Sequence, residues 1–189
     1  REKYKYSVQK REEIRGSMGI TDQFVIGHVG NFCYQKNHYF LLDVFEEVHK
    51  KDPNTVLLLA GDGVRFEKVR QIVAEKNLED VVKLLGRRSD TDYLYQGMDA
   101  FLLPSNFEGL PIAGIEAQSA GLPCFMSDEI TKESKITEAC YFIPLKSGAK
   151  YWAEEILDNR MERQSAEFLD NAEQYDLANQ DQELKSLIR

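Results

Sequence analysis

The chemistry of this chain gathers around two glutamates, Glu108 and Glu116, which have seven residues between them. Glu108 falls in a loop that Pro104, Ser105 and Asn106 open by breaking an apolar strand. Glu116 falls in the helix that follows, where Pro111 suits the first helical position. Between them, Gly109 and Leu110 place backbone N–H groups at a helix N-terminus. Amides of a first helical turn are unpaired, and the helix dipole there favours negative charge. Two carboxylates bracketing such an anion site can accept hydrogen bonds from sugar hydroxyls on either side of a phosphate. A capped helix with a solvated Glu116 accounts for the spacing equally well.

The elements that must hold these residues are short β-branched apolar runs alternating with longer amphipathic ones. Strands are expected at 24–30, 55–60, 81–85, 99–103 and 122–126, with a short sixth at 140–143. After the first strand, Asn37 can cap a helix that has Phe40, Leu41, Val44, Phe45 and Val48 on one face, with Pro53 beyond its end. Phe66, Val69, Ile72 and Val73 mark a second helix. Ser89 or Asp90 can cap a third, ending near Gly97, and a fourth is expected over 111–120. The leading segment to Met18 reads as a helix on the domain edge. From about residue 147 to 189 the pattern is helical, with Trp152, Ile156, Leu157 and Phe168 suited to packing on the domain. This alternation predicts an α/β fold. It would be a doubly wound, Rossmann-like parallel sheet of about six strands, with helices on both faces and C-terminal helices added. Ligands of such sheets sit at the carboxyl ends of the strands, near the switch in strand order. The loops after strands one, three and four are therefore where a ligand belongs.

Composition narrows the partners. The chain has 189 residues, 42% hydrophobic and 30% charged, which suits one globular domain, residues 1–189. No apolar run approaches the roughly 18 residues of a membrane span, and residues 1–10 lack the apolar core of a signal peptide. Cys33, Cys124 and Cys140 show no paired spacing, so free thiols in a reducing cytoplasm are expected. His28, His38 and His49 do not cluster with them, which argues against zinc. A net charge of −8 argues against nucleic acid. Residues 1–20 are basic, six Lys/Arg against three acids, and 151–189 are acidic, ten against four. An anionic ligand would need a local cluster of cations, and Lys36, Arg87 and Arg88 are candidates. No G-x-G-x-x-G follows the first strand, which argues against a nicotinamide enzyme, and Gly61-Asp62-Gly63 reads as a turn. Cys33 lacks an activating partner and reads as loop filler. Tyr34 can line a sugar pocket or face solvent.

Five blocks in order carry a family resemblance. They are V-G-x5-K-N at 29–37, L-L-A-G-D-G at 58–63, V-K-L-L-G at 82–86, D-A-F-L-L-P-S at 99–105, and P-S-x-x-E-G-L-P with E-A-x-x-x-G-L-P across 104–123. Over about residues 11–145 the chain resembles the retaining GT-B-type glycosyltransferases, and looks most like the bacterial capsular and exopolysaccharide enzymes. The resemblance implies that Glu116 takes the ribose hydroxyls of a nucleotide-sugar and Glu108 the hydroxyls of its sugar. It implies that the backbone of Gly109, Leu110, Pro111 and Ile112 holds diphosphate and sugar. Lys36, beyond Gly30 and Asn31, would neutralise the departing diphosphate in place of a metal, because a fixed cation lowers the barrier where negative charge develops. Gly86 and Arg87 would meet the base. Lys36 and Glu108 are then the catalytic pair, with no metal and no cofactor, and a UDP-linked sugar as donor substrate.

The same resemblance makes the chain the C-terminal, donor-binding half of a two-domain enzyme. Its glycan or lipid-linked acceptor would be held by an N-terminal domain outside these residues. The full-length enzyme would be cytoplasmic, with peripheral association at the inner face of the membrane left open. One position departs from the pattern: the family usually has arginine where this chain has Asn31, which fits a weak enzyme, a different donor, or compensation by Arg87 or Arg88. A non-catalytic nucleotide-sugar-binding module and a nucleotide-sugar epimerase of the same fold remain as alternatives. A flavodoxin-like signalling domain fails, since no acidic phosphoacceptor pocket lies near strand one.

Overall fold

The alternating runs become one six-stranded sheet in the computed structural model, which describes residues 2–161 and 163. The strands are β1 (Phe24–Val29), β2 (Thr55–Ala60), β3 (Val82–Gly86), β4 (Ala100–Leu103), β5 (Cys124–Ser127) and β6 (Cys140–Ile143). All pairings are parallel, in the order β3-β2-β1-β4-β5-β6. The helices are α1 (Val8–Met18), α2 (His38–Lys51), α3 (Phe66–Glu75), α4 (Thr91–Gly97), α5 (Ile112–Ser119) and α6 (Gly148–Asp158). Parallel neighbours cannot be joined by a tight turn, so the chain crosses back over a face between strands. It lays down β1, β2 and β3 outward in one direction, then returns to place β4 on the other side of β1. That reversal leaves a crevice between the loops after β1 and β4.

Each strand feeds two cores. Leu57 and Leu59 of β2 join Leu41, Val44, Phe45 and Val48 of α2, Val69 and Val73 of α3, and Trp152 and Ile156 of α6. Val56, Leu58 and Ala60 of the same strand join Ile14 of α1, Leu94 and Tyr95 of α4, and Ala117 of α5 on the opposite face. β4 divides likewise, Ala100 and Leu102 to one side, Phe101 and Leu103 to the other. Burial on both faces is why these strands read as continuous apolar runs. Trp152 adds a satisfied polar end, donating its indole N–H to the Pro144 carbonyl at 3.0 Å.

Some local expectations are corrected. Asn37 holds the cap position of α2 but is left-handed (φ 55°, ψ 47°), and its side chain makes no capping bond. Its carbonyl starts the helix instead, accepting from Leu41 N–H at 3.1 Å. Asp90 precedes α4 without capping it, because its carboxylate is forked onto Arg88 at 2.8 and 2.6 Å. Pro111 stands one place before the first residue of α5. β5 begins at Cys124 because Pro123 has no N–H for the ladder. Of the expected C-terminal helices, α6 is present, while Phe168 lies outside the described residues. Among the described residues no helix is long and apolar enough to cross a membrane.

The basic leading helix has a defined role. Arg11 and Arg15 of α1 both donate to the Asp99 carboxylate just ahead of β4, the Arg15 contact at 2.6 Å. Asp99 also accepts from Val25 N–H of β1 at 2.8 Å. Arg15 is buried and spends its remaining donors on the carbonyls of Gly97, Thr21 and Gln23 at 2.8–2.9 Å. Removing one partner strands buried charge, so Asp99→Ala should lower unfolding free energy by about 3 kcal/mol or more. Urea titration would measure it, and a loss below about 1 kcal/mol would show that the cluster is not a keystone.

Candidate functional site

The loops at the carboxyl ends of the strands bring distant residues together. Lys36 and Glu108, 72 positions apart, form an ion pair with Nζ 2.5 Å from Oε1. The Glu108 side chain is 4% exposed and that of Lys36 15%, so this is a sheltered pair, with bonds stronger than an exposed one. Ser105 Oγ donates to the same carboxylate oxygen at 2.7 Å, and Ser127 Oγ donates to the Ser105 carbonyl at 2.5 Å. Glu108 also forms a parallel β-bridge with Ile130. Asn106 ties this loop to the one after β1, its N–H on the Gln35 carbonyl at 2.8 Å and its side-chain amide on that of Tyr34 at 2.7 Å. Ser105 was legible only as a strand breaker. Its role as a partner of Glu108 appears in the fold.

Glu116 is not a solvated helix residue. It is half-buried, Tyr4 donates its hydroxyl to one carboxylate oxygen, and Tyr95 donates to the other at 3.0 Å. Neither tyrosine was singled out in the sequence, since nothing local links position 4 to position 116. Gly109, Leu110 and Ile112 are exposed around the start of α5, with Pro111 buried beneath them. Ile112 N–H turns back to the Leu110 carbonyl at 3.0 Å.

The loop carrying Gly30 and Asn31 rests on the one after β2. Phe32 N–H donates to the Asp62 carbonyl and Arg65 N–H to the Phe32 carbonyl, both at 2.9 Å. Gly61 (φ +147°) and Gly63 (φ +151°) allow the approach. A Cβ at Gly61 would fall 1.9 Å from the Gly30 carbonyl oxygen, and one at Gly63 2.2 Å from Asn31 Oδ1. Gly61-Asp62-Gly63 is therefore a packed turn, as its spacing suggests. Gly86 is left-handed (φ +64°), and its carbonyl accepts from Gly61 N–H at 2.8 Å. Arg87 beside it is exposed. Arg88 is paired with Asp90 at 2.6 Å. Tyr34 is 60% exposed, with the Arg65 guanidinium 5.1 Å from its ring centre. Among the described residues, no three His, Cys, Asp or Glu side chains converge as metal ligands. A cleft of about 510 Å³ lies at the opposite ends of the strands, by Phe24 and Asp99. Its Arg11, Arg160 and Arg163 are spent on Asp99, Asp52 and backbone carbonyls.

Beneath the Gly30 loop lie two buried imidazoles, His28 and His38, edge to face with ring centres 4.7 Å apart. His28 Nδ1 is 2.8 Å from the Leu102 carbonyl. A carbonyl only accepts, so Nδ1 carries the proton and Nε2 is a bare acceptor. Among the described residues, His28 Nε2 and both His38 nitrogens have no hydrogen-bond partner. Burial pushes His28 down to about 4. Burial, with the nearby cationic groups, pushes His38 down to about 2.

Residues 10–176 match the glycosyl transferases group 1 family, and the chain belongs to it. It is 37% identical over 126 residues to EpsF of Bacillus subtilis, a protein named as a glycosyltransferase, covering 66% of this chain and 33% of the relative. It is 31% identical over 131 residues, 67% of this chain and 34% of the relative, to the UDP-Gal:alpha-D-GlcNAc-diphosphoundecaprenol alpha-1,3-galactosyltransferase of Escherichia coli. The chain thus spans about a third of the length of these relatives. Its fold is that of Anabaena HepE, solved in complex with UDP and glucose, with a TM-score of 0.82 at 21% identity over 99% of this chain and 54% of that one. The C-terminal domain of the group 1 protein LpcC from Francisella tularensis superposes with a TM-score of 0.70 at 18% identity, over 94% of this chain and 95% of that domain. The loops therefore belong to a group 1 glycosyl transferase domain with the GT-B type of α/β fold.

The histidine pair sets an acid limit on the fold. Unfolded imidazoles titrate near 6.5, so below that pH the unfolded chain binds protons that the folded chain refuses. Stability is complete above pH 6.5 and falls as pH drops toward about 4, where His28 protonates in place. The loss should reach about 2 kcal/mol per histidine at pH 5. Urea midpoints at pH 7.5 and 5.0 would measure it, and His38→Leu should remove about half of the difference. An undiminished difference in that variant would assign the acid loss to other groups.

Proposed function

We propose that the chain binds the nucleotide-sugar donor of a retaining hexosyltransferase, and that the donor is UDP-linked. The observation that carries this reading is the arrangement around the start of α5. A sheltered Lys36–Glu108 pair lies to one side of it and the doubly hydrogen-bonded Glu116 to the other. A relative is named for UDP-galactose, and HepE was solved with UDP; both support the nucleotide. Glu116 accepts the ribose hydroxyls and Glu108 those of the sugar. Gly109, Leu110, Pro111 and Ile112 line the diphosphate, with Gly30 and Asn31 across from them and Gly86 and Arg87 at the base.

Lys36 carries the chemistry in this reading. When the anomeric C–O bond breaks, the electron pair moves to the diphosphate, and a fixed cation beside it stabilises the transition state. The lysine ammonium has three donors, and Glu108 uses one. It can therefore hold the sugar-binding carboxylate and a phosphate oxygen together, with no divalent metal. The acceptor, a glycan or a lipid-linked glycan, would be held by further sequence of a longer protein. Without it this chain binds donor but does not align two substrates for transfer. Its unpaired thiols suit the cytoplasm, and a lipid-linked acceptor would set the reaction at the inner face of the membrane.

Calorimetry with UDP and UDP-sugars, with and without chelator, tests the reading. Glu116→Ala should weaken UDP and the conjugates alike by roughly 1.5–3 kcal/mol. Glu108→Ala should weaken the conjugates only, because it releases Lys36 toward the diphosphate. Loss of binding on chelation, or equal losses in both variants for both ligands, would overturn the assignment.

Position 31 gives a separate check. Asn31 is exposed, so Asn31→Arg has room to add a forked cation beside the diphosphate. UDP should bind about five- to thirtyfold tighter, a gain that shrinks with salt. Unchanged affinity with an intact circular dichroism spectrum would mean that the site already has its second cation.

A further inference from the structure

The Glu116 carboxylate is held from two sides. Tyr95 of α4, fully buried, donates to Oε2 at 3.0 Å, and Tyr4, in the short 3-10 turn Glu2–Tyr4, donates to Oε1. The two rings stand 6.0 Å apart. The turn is anchored to α4 through the buried Gln96. Its side-chain amide donates to the carbonyls of Tyr4 and Lys5 at 3.3 and 3.4 Å, and its oxygen accepts from Ser7 N–H at 3.0 Å. Lys3 adds an ion pair to Asp92 at 3.3 Å. Gln96 therefore holds the backbone from Tyr4 through Ser7.

A carboxylate is acceptor-only, with about four lone-pair positions over its two oxygens. Each tyrosine takes one position on a different oxygen, which leaves one open on each. Two open acceptors side by side match the two neighbouring hydroxyls of a ribose. We propose that Tyr4 is a positioning residue for the nucleotide, orienting Glu116 so that it reads the ribose cis-diol. This rests on Glu116 being the ribose acceptor. Burial and the Glu116 charge both raise the Tyr4 pKa, so the phenol remains a donor at any working pH. The leading turn thereby makes the nucleotide site selective for ribonucleotides, through a contact spanning 112 positions.

The test is titration of UDP and 2′-deoxyuridine diphosphate against the native chain, Tyr4→Phe, Glu116→Ala and Glu116→Gln. The ratio of the two affinities is the readout, because partial unfolding lowers both equally. The native chain should prefer UDP, and both Glu116 variants should lose the preference. Tyr4→Phe keeps the ring and removes one hydroxyl; it should weaken UDP about five- to tenfold and 2′-deoxyuridine diphosphate much less. A preference that survives in both Glu116 variants would overturn the ribose assignment itself. A preference lost in those variants but retained in Tyr4→Phe would overturn the role of Tyr4. Tighter UDP in Tyr4→Phe would do so too, and would mean that the phenol competes with ribose for the carboxylate.

Discussion

Asp99 is the point on which the rest of the molecule depends. It sits at the seam where the sheet reverses direction, accepting from Val25 N–H of β1 and from two arginines of α1. A carboxylate there would be costly without partners, and the arginines would be costly without it. Together they lock the leading helix to the junction of the two half-sheets. That lock reaches the site by a traceable route. α1 is capped by Ser7, Ser7 is bonded to Gln96, Gln96 holds the turn that carries Tyr4, and Tyr4 meets Glu116. A group at the amino ends of the strands thus helps to set a carboxylate in the second turn of α5.

The site also shows how an acidic chain can present itself to an anion. The chain's net charge is −8. The glutamates that flank the α5 start are neutralised or hydrogen-bonded locally, Glu108 by Lys36 and Ser105, Glu116 by two phenols. Local pairing keeps the negative field from closing the crevice, which long-range charge alone would do.

Much of this was legible in the sequence. The bounds of β2 and β6 and the parallel, doubly wound arrangement follow from apolar runs that alternate with amphipathic ones, because strands buried on both faces leave that signature. Glu108 and Glu116 stood out through glycine, proline and carboxylate spacing, Lys36 as a candidate cation and through the family resemblance, and the fold joins Lys36 to Glu108 in one ion pair. What failed was whatever depends on where a side chain turns. Asn37 looks like a cap, but a left-handed backbone aims it elsewhere. Asp90 looks like a cap, but Arg88 has captured it. The phenols on Glu116 were invisible because Tyr4 lies 112 positions away and Tyr95 reads as core. The histidine pair beneath Gly30 reads as two unrelated residues until α2 is packed against β1.

The approach of the loops after β1 and β2 has a consequence for how such a chain can vary through descent. A single methyl group at Gly61 would occupy the space of the Gly30 carbonyl oxygen, and one at Gly63 that of the Asn31 side chain. Neither glycine can gain a side chain while the loop after β1 stays still. A lineage that replaces either of them must reshape the phosphate-facing turn in the same step or lose its seat.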